Sequence, residues 1–179
     1  MKRVGDPESP NKVVCLHGGP GMDGSYFLPY LQSSFQSYEL IVYTKGDEAQ
    51  AHDHDHDIDS LVLELDSIVK QFEGNRVFLL GHSFGGALAL EYMARHGKKI
   101  AGLILCAWVH SHTWLQVYTE LARSIDEGPL KQKQEKVSND DEKCLMEFIF
   151  YKDLYFSERF QDEGERVLGT CRIQKPEAE

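Results

Sequence analysis

The stretch Arg76-Val77-Phe78-Leu79-Leu80-Gly81-His82-Ser83-Phe84-Gly85-Gly86-Ala87 decides how this chain folds. Its first part is a short apolar run ending at a glycine, the form of a buried parallel strand. A helix is expected from Ser83 to Arg95. Between the two, the chain must pass from strand to helix within a few residues, and a serine at the apex of that turn has a strained backbone. Residues two before and two after it then come too close for side chains, a need that Gly81 and Gly85 meet. Gly86 and Ala87 continue the small surface on which the helix packs. Such a turn lifts the Ser83 hydroxyl above the sheet edge and sets it at a helix N-terminus, where developing negative charge is favoured.

Similar strand signals lie on either side. Lys12 to Leu16 and Glu39 to Tyr43 precede the turn, and Ile100 to Cys106 follows it. Tyr26, Phe27, Tyr30 and Leu31 have helical spacing. Ile58, Leu61, Val62, Leu65, Ile68, Val69 and Phe72 form one apolar helical stripe, with Asp57 or Asp59 to cap its start and Gly74-Asn75 to end it. Strands alternating with helices of this length predict an α/β fold: a doubly wound, mostly parallel sheet with right-handed crossovers. Beyond His110 the alternation stops. Thr113 to Ile125 and Asp140 to Arg159 read as helices. The expected organisation is a core over residues 1–110, a helical cap segment over 111–165 and a disordered tail over 166–179.

A second motif, His17-Gly18-Gly19-Pro20-Gly21, follows the Lys12–Leu16 strand directly. A phosphate cradle is disfavoured there, because no lysine occurs from His17 to Phe27. The pair HGGPG and GHSFGG, about 60 residues apart with a strand and a helix between, resembles the α/β-hydrolase superfamily. HGGPG is similar to its proline iminopeptidase branch. The resemblance covers roughly residues 12–109 and implies that Ser83 is a nucleophile. It also implies an oxyanion hole formed by the backbone amides of Phe84 and Gly19, with Gly18 as the alternative on the glycine loop. Relatives place the acid and the histidine of the triad after later strands, so the chain is expected to be an incomplete hydrolase core, lacking both. With eleven residues before the first core strand, the opening antiparallel hairpin of the family is expected to be absent.

A serine hydroxyl needs a base within hydrogen-bond reach. His82 neighbours Ser83 but points a different way, and is expected to be structural. His96 lies roughly 20 Å along the helix at 1.5 Å per residue. His17 is expected to brace its loop. His110 and His112 follow the last strand at the ligand-binding edge of the sheet; with His17 and Trp108 they are candidate pocket-lining residues, and neither has an acid beside it. The resemblance to aminopeptidases implies acidic groups in the cap that hold a substrate's free amine, for which Glu120, Asp126, Glu127 and Glu147 are the candidates. The alternating run His52 to Asp57 offers metal-ligand chemistry, but a polar run before a helix reads as a solvated loop and cap. No metal and no cofactor is expected.

A formal charge of −10 argues against a nucleic-acid surface and against anionic lipid. No apolar stretch approaches the roughly 18 residues of a membrane span, and the N-terminus has no signal-like apolar run. Four scattered cysteines lack metal or redox spacing. Cys15 and Cys106, inside apolar runs, should behave as small hydrophobes. These features suggest a cytoplasmic protein, and the hydrolase resemblance implies a small-molecule or short-peptide substrate. The leading expectation is a serine hydrolase, iminopeptidase-like or esterase-like, forming an acyl-enzyme on Ser83. The alternative is a catalytically silent fragment that binds a ligand or a partner chain. An uncovered sheet edge would favour self-association.

Overall fold

The computed structural model describes residues 1–18, 23–44, 58–107 and 126–137, together with positions 120, 146, 159, 162, 163 and 166. The chain forms two compact units, Met1–Trp108 and Val109–Glu179.

In the first unit, β1 is Lys2–Gly5, β2 Asn11–Leu16, β3 Glu39–Tyr43, β4 Arg76–His82 and β5 Gly102–Cys106. The helices are α1 Leu28–Ser34, preceded by a 3-10 turn at Gly24–Phe27, α2 Ile58–Lys70 and α3 Phe84–His96. The strands form one sheet in the order β1-β3-β2-β4-β5. β2 is flanked by β3 and β4, both parallel to it, and β5 runs parallel to β4. This is the mixed, mostly parallel sheet of an α/β-hydrolase core.

The sheet is buried on both faces because successive apolar residues of β2 and β3 point to opposite sides. Val14, Leu16, Ile41 and Tyr43 join the α2 stripe and Leu88 and Tyr92 of α3 in one core cluster. Val13, Cys15, Leu40 and Val42 join Phe27 and Leu80 in the other. Burial raises the Cys15 thiol pKa to about 12, the nearby Cys106 adding to the rise, so Cys15 stays protonated and unreactive.

The N-terminus departs from expectation. Its residues make no hairpin with β2, yet they do supply an antiparallel strand, β1, which pairs with β3. Arg3 fixes it, donating from Nε and a terminal nitrogen to the two Glu39 carboxylate oxygens at 2.6 and 2.9 Å. Buried Lys12 donates to the same carboxylate at 2.8 Å and to Pro7 O. Both cations hold the Glu39 carboxyl below its usual range, the Arg3 hydrogen bond most strongly.

Cys106 also departs from expectation. It is exposed, as are Ile104 and Leu105, because β5 is an edge strand with β4 as its neighbour. In the second unit, α4 spans Gly128–Gln134 and buries Leu130. The expected tail lies outside the described residues except for Arg166, as do Cys144, Cys171 and the His52–Asp57 run.

Candidate active site

The strand order creates a switch point. From β2 the chain moves to β3 on one side, then crosses to β4 on the other. In open α/β sheets, ligands bind in the crevice outside the carboxyl ends of strands at such a point. Here the register pairs Leu16 with Gly81 and His82 with Cys106. The segments leaving β2 and β4, which carry the two glycine motifs, therefore emerge side by side.

Ser83 occupies the junction of β4 and α3 with φ 50° and ψ −122°, a strained conformation for a residue with a β-carbon. Its amide donates to Cys106 O at 3.0 Å, and its carbonyl accepts from the Gly86 amide at 2.8 Å. The turn is thus fixed at both ends by backbone. A β-carbon on Gly81 would lie 2.6 Å from Gly85 O, and one on Gly85 would collide with Leu16 O. Both clashes are with backbone, so neither position accepts a side chain without moving the turn. The helix begins at Phe84, one residue later than the sequence suggests, and the Ser83 side chain makes no capping bond to it. The helix entrance thereby keeps its positive dipole end beside the serine. The Phe84 side chain is exposed.

The first residues of the glycine motif, His17 and Gly18, are held by two hydrogen bonds. His17 is buried, and its Nδ1 lies 2.8 Å from Gly18 O. A carbonyl only accepts, so Nδ1 carries the proton. The Gly18 amide donates to Tyr26 Oη at 2.8 Å, and Tyr26 Oη lies 2.7 Å from His82 Nδ1. Tyr26 is held by the turn at Gly24–Phe27, where Asp23 Oδ1 accepts from the Ser25 amide at 3.1 Å. A β-carbon built on Gly18 would stand 3.1 Å from the Ser83 β-carbon, which measures how closely the two motifs approach.

Of the residues singled out from the sequence, the structure brings together Ser83, Phe84 and the His17–Gly18 start of the loop. His82 turns toward Tyr26, and His96 stacks on Tyr92 at 4.9 Å. Gly19, Trp108, His110, His112 and Glu147 lie outside the described residues. In the second unit Asp126 Oδ1 accepts from the Gly128 amide at 2.9 Å, Glu127 pairs with Lys131 at 3.2 Å, and Glu120 is exposed. Among the described residues no group of three or more His, Cys, Asp or Glu is arranged to hold a metal ion, and no helix is long and apolar enough to cross a membrane. Tyr26 is the residue the sequence did not announce. The Asp23-Gly24-Ser25 turn immediately after the glycine loop was its one local signal.

Residues 43–143 match the family described as serine aminopeptidase, S33. Over 130 residues the chain is 34% identical to the proline iminopeptidase of Saccharolobus solfataricus, covering 70% of this chain and 41% of that protein. Against the proline iminopeptidase of Thermoplasma volcanium the identity is 32% over 126 residues, covering 68% and 42%. The chain thus spans less than half the length of these curated relatives. Among solved structures, the proline iminopeptidase-related protein of Thermus thermophilus superposes with a TM-score of 0.64 at 21% identity, covering 96% of this chain and 62% of that one. MenH of S. aureus superposes with a TM-score of 0.58 at 20% identity, covering 94% and 65%. These two establish shared fold. Switch point, glycine-bounded serine turn and family match converge: the chain belongs to the serine aminopeptidase S33 family of α/β-hydrolases, on the proline iminopeptidase branch.

Proposed function

We propose that the chain hydrolyses an amide or ester bond through an acyl-enzyme on Ser83. The observation that carries this reading is the strained Ser83 turn, set against the glycine loop at the sheet's switch point. Ser83 Oγ attacks the substrate carbonyl as its proton passes to a base. The carbonyl oxygen, now an oxyanion, is held by the backbone amides of Phe84 and Gly19. Gly18 is the weaker candidate for that role, because its amide already donates to Tyr26. Collapse expels the amine or alcohol, and water then releases the acid. The proline iminopeptidase relatives favour a short peptide or small molecule with a free amine. The reaction needs no metal or cofactor in this scheme.

The test is labelling with a fluorophosphonate, located by mass spectrometry, alongside hydrolysis of p-nitrophenyl esters. Modification at Ser83, lost in Ser83→Ala and insensitive to chelation, is expected. Labelling elsewhere, or an unchanged Ser83→Ala variant, removes Ser83 from the reaction. Turnover is a separate matter, since it requires a base, for which His110 and His112 are the candidates that the sequence leaves. Oxyanion donors and binding alone leave a residual enhancement of about 10³ to 10⁴ over water. A kcat/KM of about 10⁴ M⁻¹s⁻¹ or more would show a complete catalytic apparatus. Labelling without turnover would identify a silent binding form.

A further inference from the structure

The glycine loop and the serine turn are joined by more than proximity. Gly18 N–H can only donate, so Tyr26 Oη accepts it at 2.8 Å. The same oxygen bonds His82 Nδ1, 2.7 Å away, the phenol donating when Nδ1 is bare and accepting when Nδ1 carries the proton. His82 directly precedes Ser83, and Gly18 directly precedes Gly19. One hydroxyl therefore connects the residue before the proposed nucleophile with the residue before the proposed oxyanion donor. The rings fix that hydroxyl: Tyr26 packs on Phe27 at 4.6 Å and edge-on to His82 at 5.3 Å, and Phe27 meets His82 at 6.3 Å.

We propose that Tyr26 is a positioning residue, whose hydroxyl clamps the Gly18 amide to His82 and so sets Gly18, where the glycine loop begins, at a fixed distance from Ser83. This inference rests on the function proposed above. Oxyanion donors work within a few tenths of an ångström of 2.7–3.1 Å from the charge they stabilise. A Gly18-Gly19 segment has no side chains of its own to hold such a geometry and loses much conformational freedom when ordered. A clamp from the neighbouring turn supplies that order before substrate arrives. Tyr26 does not touch the reacting atoms and acts through the loop.

Tyr26→Phe keeps the ring packing and removes the hydroxyl. In this variant, amide exchange at Gly18 should accelerate at least tenfold, while exchange at Val14 and Leu79 in the sheet stays at the parental rate. The second-order rate constant for fluorophosphonate labelling of Ser83 should fall about tenfold, with the final extent unchanged. In the parent chain, imidazole nitrogen chemical shifts should show His82 Nδ1 engaged in a hydrogen bond, a readout that needs no variant and survives any folding failure of Tyr26→Phe. Unchanged Gly18 exchange, an unchanged labelling rate, or a His82 Nδ1 that shows no hydrogen bond would each overturn the clamp. If Ser83 of the parent chain does not label at all, the proposed function fails, and the clamp is decided by Gly18 exchange and the hydrogen bonding of His82 Nδ1.

Discussion

Ser83 sits in a backbone region that costs a residue bearing a β-carbon about 1–3 kcal/mol. Glycine enters positive φ without that penalty. Replacing Ser83 by glycine should therefore release the strain, offset by about 0.4–1 kcal/mol from the greater freedom of the unfolded chain. The expected net is a gain of about 1 kcal/mol. Ser83→Ala keeps the β-carbon and so keeps the strain. The two variants both lack the hydroxyl and differ by one methyl group, and their difference isolates the backbone contribution. At an unstrained position alanine would win by about 0.5–1 kcal/mol; here glycine should win by about 1 kcal/mol. Because the chain has two compact units, a single unfolding midpoint would mix their contributions. Native-state amide exchange at the fully buried Val14 and Leu79 reports on the unit that holds the turn. An alanine variant as stable as the glycine variant, or more so, would refute the idea that this serine is held under strain.

Glu39→Gln should destabilise by about 3 kcal/mol, because it leaves the Lys12 ammonium buried without its counter-charge. Arg3→Ala should cost less than about 1 kcal/mol, since that guanidinium is half exposed; chemical denaturation of both variants separates these values, and equal losses would contradict the assignment. Asp66 is held ionised far below the usual range by hydrogen bonds from Lys70 and Lys99, with Tyr92 donating as well. Its contribution is present above the unfolded carboxylate pKa of about 3.9 and is lost as pH falls toward the folded value. A stability–pH profile should therefore fall below about pH 4, and Asp66→Asn should lower the neutral plateau by about 2 kcal/mol and flatten that acid limb. An unaltered limb would assign it to other groups. We expect two copies to associate through β5, because antiparallel pairing about Ile104 sets Leu103 opposite Leu105 of the second copy. A charge of −10 opposes that contact, so sedimentation should show association rising with salt and absent in Ile104→Lys; a monomer at every salt concentration would end this expectation.

The four parallel strands were legible because each is a short apolar run, a pattern that needs no knowledge of neighbours, and β2, β3 and β4 are buried as such runs should be. The serine turn was legible from glycine spacing alone, since Gly81 and Gly85 answer steric contacts generated within the turn and by the adjoining β2. β1 was not. Lys2 and Arg3 belong to no apolar run, and what makes them a strand is pairing with β3, which supplies Glu39. Tyr26 was hidden for the same reason. Its spacing with Phe27, Tyr30 and Leu31 suggests an apolar helix face, whereas α1 starts only at Leu28 and the hydroxyl's partner lies 56 residues away. The exposure of Ile104, Leu105 and Cys106 likewise depends on where β5 falls in the sheet order, and an apolar run carries no mark of being at an edge.

The Arg3–Glu39–Lys12 triad and the Ser83 turn occupy opposite ends of the same strands. Lys12 faces Glu39 at the amino end of β2, and Leu16 faces Tyr43 and Gly81 at its carboxyl end. Four residues at about 3.3 Å each separate them by roughly 13 Å, beyond the distance at which substitutions usually couple. A strained nucleophile and an ionic anchor can thus vary independently. Losses of stability incurred in reshaping the reactive end can be made good at the far end, without a compensating change ever approaching the substrate.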